Sequence, residues 1–95
     1  MEEYLFDKYR VFYRSGPSEY AAKITCYNGQ TRVAMIFFID NSHLPDNELD
    51  DLPMKIHYRL SSFQDVIGLL ENEKPLAIYV FENRKTCEIG SREIN

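Results

Sequence analysis

The amino-acid sequence predicts an α+β protein, a mostly antiparallel five- or six-stranded sheet with one helix packed on one face. Two observations support this prediction. Several segments repeat their apolar residues with a period of two, which is typical of strands, and one segment after Ser62 repeats them with the period of a helix. The Asn28-Gly29 dipeptide also joins two strand-like runs, which is the usual sequence of a tight β-hairpin. The predicted order of elements is β-β-β-loop-β-α-β-β within a single domain, 1–95.

The first predicted strand covers Tyr4 to Arg14, where ring-bearing and charged residues alternate. Gly16 and Pro17 then predict a turn, because glycine adopts unusual φ values and proline interrupts a ladder. The hairpin strands follow at 19–27 and 30–40.

A two-residue type I′ turn at Asn28-Gly29 would fix the register of this hairpin. The pairs that it predicts are Tyr27 with Gln30, Ile24 with Val33, Ala22 with Met35, and Tyr20 with Phe37. The large members of these pairs share one face, so the turn and the hydrophobic pattern agree.

Residues 40–53 predict an irregular loop, and Met54 to Leu60 alternates again as a fourth strand. The helix is expected to begin near Ser61 or Ser62 with a capping box. Its apolar stripe consists of residues at positions i, i+3, i+4 and i+7, namely Phe63, Val66, Ile67 and Leu70. Pro75 ends the helix, and two short strands at 76–81 and 86–89 complete the sheet.

Composition limits the class of protein. No segment approaches the ~18 apolar residues of a membrane span, and the acidic start does not resemble a secretory signal. With only two cysteines, these features predict a cytoplasmic protein with reduced thiols. Cys26 is expected to be a small buried hydrophobic residue, and a Cys26–Cys87 disulfide is the weaker alternative.

The acidic segment 40–52 is one candidate partner-binding site. It carries five carboxylates and no lysine or arginine, whereas the rest of the chain has a formal charge of +1. The simplest interpretation is a solvated loop, and the functional one is a docking loop for a basic partner. Its candidate residues are Asp46, Glu48, Asp50 and Asp51. The calcium-loop spacing that begins at Asp46 fails where Asp51 replaces glycine and His57 replaces glutamate, so we predict no metal site.

The second candidate is an open sheet face. The segment Val33–Ile39 is apolar on both sides, with Ile36 and Phe38 on the side that we expect to point away from the helix. Three arrangements could cover such a patch: a sheet that curls over itself, a homodimer interface, or a ligand or nucleic-acid surface.

Basic and aromatic residues also interleave on two strands, as expected of a sheet that stacks bases and contacts phosphates. The basic members are Lys8, Arg10, Arg14, Lys55 and Arg59. Against this interpretation, the sequence pI is about 5.1, whereas nucleic-acid-binding domains usually carry a basic surplus.

The sequence contains no nucleophile elbow, phosphate-binding glycine loop or dinucleotide fingerprint, and we predict no cofactor. His43 and His57 are isolated, and His57 is expected to be an exposed surface residue. An enzyme is therefore the less favoured class. The favoured function is a small binding or regulatory domain, a homodimer, that contacts a protein through the acidic loop or the open face. There are two alternatives. One is a small-molecule-binding protein or small enzyme, with its site between sheet and helix or between subunits. The other is a sheet that binds single-stranded nucleic acid.

Overall fold

The computed structural model describes residues 1–92 and confirms the α+β class. It contains seven strands in two sheets and one α-helix, with a 3₁₀ turn at Leu60–Ser62 before the helix. The elements are β1 (Glu2–Phe6), β2 (Lys8–Tyr13), β3 (Ala22–Asn28), β4 (Thr31–Ile39), β5 (Met54–Arg59), α1 (Phe63–Asn72), β6 (Leu76–Val80) and β7 (Cys87–Ser91).

Two sheets form because the first predicted strand is in fact two strands. Residues before Asp7 pair with β6, and residues after it pair with β3. Asp7 holds this bend: its backbone N–H donates to the carbonyl of Tyr27 at 2.9 Å, and its carboxylate accepts from the Gly29 N–H at 3.2 Å. The single sheet predicted from the sequence is therefore divided at Asp7.

The strand order is β1-β6-β7 in one sheet and β2-β3-β4-β5 in the other. All neighbours are antiparallel except β4 and β5, which run parallel. The parallel pair requires the chain to return to the starting end of β4, and the long segment 40–53 makes that return.

The predicted register of the β3–β4 hairpin is wrong. The strands extend to Asn28 and Thr31, so the turn consists of Gly29 and Gln30. Of these two residues, only Gly29 has a positive φ, 62°, which suits a type II′ turn with glycine first rather than the predicted type I′ turn. The register then shifts between Cys26 and Tyr27, where a β-bulge lets Cys26 pair with Ala34.

This bulge decides which face of β4 is buried, because a slip of one residue exchanges the two faces of a strand. Ile24 pairs with Ile36, and Ala22 pairs with Phe38. Ile36 and Phe38 are fully buried in the core, so their placement on an open face is wrong. Met35 and Phe37 take the outward positions and are half-buried.

The core lies between the two sheets and the helix. The predicted apolar stripe of α1 is confirmed, since Phe63, Val66 and Leu70 are buried. The Phe63 ring meets the Phe38 ring edge-on, with centroids 5.0 Å apart. The helix therefore packs on the inner face of the four-stranded sheet, opposite the side that carries Met35 and Phe37. Of the two predicted capping boxes, Ser61 with Gln64 or Ser62 with Asp65, the second is wrong, because Ser62 makes no side-chain cap.

Two glycine substitutions are expected to change the free energy of unfolding in opposite directions. Gly29→Val should lower it by about 1 kcal/mol or more, because a β-branched residue resists positive φ. Gly68→Ala should raise it by up to about 1 kcal/mol, because alanine favours the helix and a new Cβ there meets no atom within 4 Å. Urea denaturation measures both, and a Gly29→Val protein as stable as wild type would contradict the turn assignment.

Candidate functional site

Charge is divided unequally between two parts of the chain. Residues 8–39 and 54–59, which form the four-stranded sheet and its first two turns, hold seven of the eleven lysines and arginines. They hold only one of the fifteen acidic residues, Glu19. Their formal charge is therefore +6, and that of the remaining residues is −10.

The strand registers bring these cations to one side of the sheet. Residues paired across strands share a face, and the inner face is fixed by the buried Ile24, Ile36 and Ile56. The basic side chains fall on the opposite, outer side, which we call the basic face. Its cations are Lys8, Arg10, Arg14, Lys23, Arg32, Lys55 and Arg59.

A row of rings crosses the basic face from β2 to β5. Phe12 is 41% exposed at the β2 edge. Tyr20 meets Phe37 edge-on at 5.0 Å between ring centroids, and Phe37 stacks on His57 at 5.5 Å. The row therefore consists of one exposed ring and three that contact each other in series.

Cations lie over these rings. The Lys23 Nζ is 5.1 Å from the Phe12 centroid, and the Arg10 guanidinium carbon is 5.4 Å from the same centroid. The Arg14 guanidinium lies 4.6 Å over Tyr20 and donates to its hydroxyl. Within residues 1–92, the ion pairs engage only Arg84 and Arg92, so the charges of the basic face are not neutralised by carboxylates.

The row ends at a surface pocket of about 360 Å³ beside β5. Its residues come from the outer side of β4 and β5, from the segment before β3 and from the acidic segment. They are Glu19, Tyr20, Met35, Phe37, Ile39, Pro45, Glu48, Lys55 and His57.

His57 is half-buried in this pocket, so the prediction of an exposed histidine is wrong. Its backbone N–H donates to the Asn47 side chain at 2.8 Å. Its Nδ1 is sealed from solvent and has no hydrogen-bond partner among the described residues. Burial lowers the pKa of His57, although the Glu48 carboxylate and the Asp46 backbone act in the opposite direction. The lowered pKa favours the neutral imidazole, which contributes its ring to the row.

The acidic segment does not form one docking surface. Glu48 is held against β5 by two backbone hydrogen bonds with Lys55, each 2.8 Å long. Asp50 instead accepts from Arg84 at 3.0 Å, and the same guanidinium donates to the Leu49 carbonyl at 2.8 Å and contacts Glu2. The loop is thus anchored to the β6–β7 turn. Asp46 and Asp51 are exposed.

A second pocket lies beyond the C-terminal end of the helix. Its volume is about 510 Å³, and it lies where β1 bends into β2 beside Pro75. Its lining contains no histidine or glutamate, and its one carboxylate, Asp7, already accepts from Gly29.

The two thiols are free, and Cys26 is buried as predicted. Burial raises the pKa of Cys26 to about 12 and that of Cys87 to about 11, so neither is a reactive thiolate at neutral pH. In residues 1–92, no three His, Cys, Asp or Glu side chains are grouped as a metal site. Nor does any described helix have the length and apolar composition to cross a membrane.

Sequence reasoning found five of the seven cations as residues that interleave with rings, and it placed Lys23 and Arg32 at the border of an open apolar sheet face. It missed Tyr20, Phe37 and Glu19 as members of the surface. The missing signal was the bulge, which determines the side of the sheet on which β4 presents Phe37. Without it, Phe38 appeared to be the outward ring.

The fold and this surface define the class: a small α+β domain with one basic, aromatic sheet face. No protein-family model matches the chain, and neither a curated protein nor a solved structure matches it.

Proposed function

We propose that this protein binds single-stranded nucleic acid on the basic face. The observation that carries the proposal is the concentration of seven cations and four rings on one side of one sheet. Phosphates require cations, and unstacked bases require flat apolar surfaces; single-strand-binding sheets supply both side by side.

The alternation of rings and cations favours nucleic acid over an acidic protein. An acidic protein would supply carboxylates for the lysines and arginines but few planar groups for the rings. A single strand supplies a phosphate and a base at every nucleotide, and the basic face places cations beside a ring at Phe12. The low pI does not argue against nucleic-acid binding, because the excess of acidic residues lies outside the four-stranded sheet.

The other functional predictions stay predictions. Fewer carboxylates of the acidic segment are available to a partner protein, because Asp50 is paired with Arg84. For a homodimer, the edge strand β2 is the candidate pairing element, with Val11 43% and Tyr13 68% exposed. The cytoplasmic location is likewise a prediction from the sequence alone.

Salt dependence gives the first test. We expect the anisotropy of a dye-labelled twelve-nucleotide single strand to rise on titration with the protein. Between 50 and 200 mM salt, the affinity should fall about twentyfold or more, as three or four phosphate contacts require. An anisotropy that does not change at low salt would contradict the proposal.

A charge-reversal pair tests the location. Arg10→Glu with Lys23→Glu should weaken binding at least about tenfold, because two cations of the basic face become anions. The matched control is Lys74→Glu with Lys85→Glu, which changes the net charge equally at exposed sites outside the face. Equal weakening by both pairs would show that net charge alone, and not the basic face, controls binding.

A further inference from the structure

The strand β2 directs half of its backbone groups to solvent. Among residues 1–92, it has β3 on one side and no strand on the other. Just past β2, the Arg14 N–H donates to the Ala21 carbonyl at 2.8 Å. Alternate residues of an antiparallel ladder bond to the neighbouring strand, so the residues that direct their N–H and C=O groups away from β3 are Tyr9, Val11 and Tyr13.

The side chains of these three residues lie on the inner side of the sheet. They are paired with Cys26, Ile24 and Ala22, which are fully buried. Nevertheless, Val11 is 43% exposed and Tyr13 is 68% exposed. The edge of the sheet therefore presents apolar side chains together with unpaired backbone groups.

Natural edge strands usually carry a feature that prevents pairing with another chain. At the opposite end of the same sheet, Glu48 bonds in both directions to Lys55 and covers part of β5. In contrast, β2 contains no proline or glycine, and its inner side carries no charged residue. Such an edge is able to accept one more strand.

The sequence of β2 indicates which strand that is. A strand that pairs antiparallel with its own copy must be complementary to itself about a central residue. From Lys8 to Arg14, the residue types are symmetric about Val11, with tyrosine at 9 and 13 and a basic residue at 8 and 14. The remaining two positions would set Arg10 opposite Phe12, and within one chain this guanidinium already lies 5.4 Å from the Phe12 centroid.

We propose that two copies of this protein pair their β2 strands antiparallel, with Val11 on the two-fold axis. Tyr9 then lies opposite Tyr13 of the partner subunit, and the unpaired backbone groups of both edges bond to each other. The axis is perpendicular to the sheet, so the two copies form one eight-stranded sheet. Both basic faces lie on one side of it, and both helices lie on the other.

Like charges oppose this pairing and give it a measurable signature. Lys8 comes opposite Arg14 of the partner subunit, and each four-stranded sheet with its first two turns has a formal charge of +6. The Arg14 guanidinium is drawn away from the free edge, because it lies 4.6 Å over Tyr20, whose ring contacts Phe37 of β4. Salt screens the repulsion that remains, so the dimer should tighten as salt is raised, whereas nucleic-acid binding should weaken.

The pairing makes the nucleic-acid surface a composite of two copies, a consequence that rests on the proposed function. Residues directly opposite each other share a face, so Arg10 and Phe12 of both copies meet at the centre of the joined surface. A single strand that crosses the axis contacts cations from both copies.

The mass in solution tests the pairing. We expect the mass by light scattering to rise with concentration from 11.2 kDa toward twice that value. The dissociation constant of the dimer should fall at least about threefold between about 50 and about 300 mM salt. A wild-type protein that stays monomeric at every concentration, or a dimer that weakens as salt is raised, would overturn the proposal.

A lysine on the axis tests the location of the interface. Val11→Lys should raise the dissociation constant at least about tenfold, because it brings two ammonium groups together. Leu52→Lys makes the same change of charge at an aliphatic residue that is 51% exposed outside β2, and it should leave the constant unchanged. Equal dimerisation by the two variants would show that β2 is not the interface.

Cross-linking tests the register, and it does not depend on the folding of the lysine variant. Val11→Cys sets two thiols directly opposite each other, about 5 Å apart between Cβ atoms and close to disulfide distance. Tyr13→Cys exposes its thiol more, but the two thiols lie four residues apart along the strands, about 14 Å. Under mild oxidation, Val11→Cys should form at least about tenfold more linked dimer. Equal cross-linking by both would indicate random collision and contradict the register.

The oxidised and reduced forms of Val11→Cys test the composite surface at equal charge. At a concentration where the reduced protein is monomeric, the linked pair should bind a twelve-nucleotide oligothymidylate at least about tenfold more tightly. If both forms bind equally, the composite surface is overturned, and the pairing stands on mass and cross-linking. If neither form binds, the proposed function fails and the composite surface fails with it, whereas mass and cross-linking still decide the pairing.

Discussion

Replacing Phe38 with alanine is expected to lower the free energy of unfolding by about 3 to 5 kcal/mol. The side chain is fully buried, and its ring contacts Phe63 at 5.0 Å and Tyr58 at 6.1 Å between centroids. The loss combines the transfer of the ring to water with the cavity left between sheet and helix. Urea denaturation followed by circular dichroism measures it.

Phe12→Ala is the matched control for this experiment. The ring of Phe12 is 41% exposed at the sheet edge, so the same substitution there should lower the stability by about 1 kcal/mol or less. It should instead weaken nucleic-acid binding, because Phe12 lies in the ring row. A Phe38→Ala protein that unfolds like wild type would mean that Phe38 points outward and that the bulge-shifted register is wrong.

Leu49→Ala is expected to lower the free energy of unfolding by about 2 to 4 kcal/mol. Such a loss is unusual for a loop residue, but Leu49 is only 2% exposed and belongs to the core. Arg84 holds its carbonyl at 2.8 Å, so the backbone has little freedom to close the cavity. Thermal and urea unfolding should agree on the loss.

Leu52→Ala, three residues further along the same segment, is its control. Leu52 is 51% exposed, and its truncation should change the stability by less than about 1 kcal/mol. If both leucine variants lower the free energy of unfolding by the same small amount, the segment is a solvated loop, as the sequence suggested. If the Leu49 variant alone is unstable, the segment is part of the folded core.

Periodicity was enough to predict the fold class and most elements. The helix stripe was identified from its spacing, because burial of one face imposes that spacing. The strand Leu76–Val80 was identified from a continuous apolar run that follows Pro75. The bend at Asp7 left no such trace, since the alternation continues through it and only hydrogen bonds with the next hairpin reveal it.

The hairpin register was not predictable for a specific reason. From Val33 to Ile39 every residue of β4 is apolar, so either face could enter the core without exposing a charge. The bulge near Cys26 makes that choice. The candidate surface depended on the same choice, which is why its cations were visible in the sequence and its central ring, Phe37, was not.

The unequal distribution of charge has a consequence for how the molecule moves. The four-stranded sheet with its first two turns has a formal charge of +6 and the remaining residues have −10, so an uneven arrangement of these charges gives the protein a dipole moment. If the protein binds nucleic acid as proposed, such a dipole would turn the basic face toward the polyanion within the screening distance of about 10 Å. An anion-exchange resin would capture the same protein by its opposite side. The pI of about 5.1 reflects the whole chain and describes neither the positively charged sheet nor the negatively charged remainder.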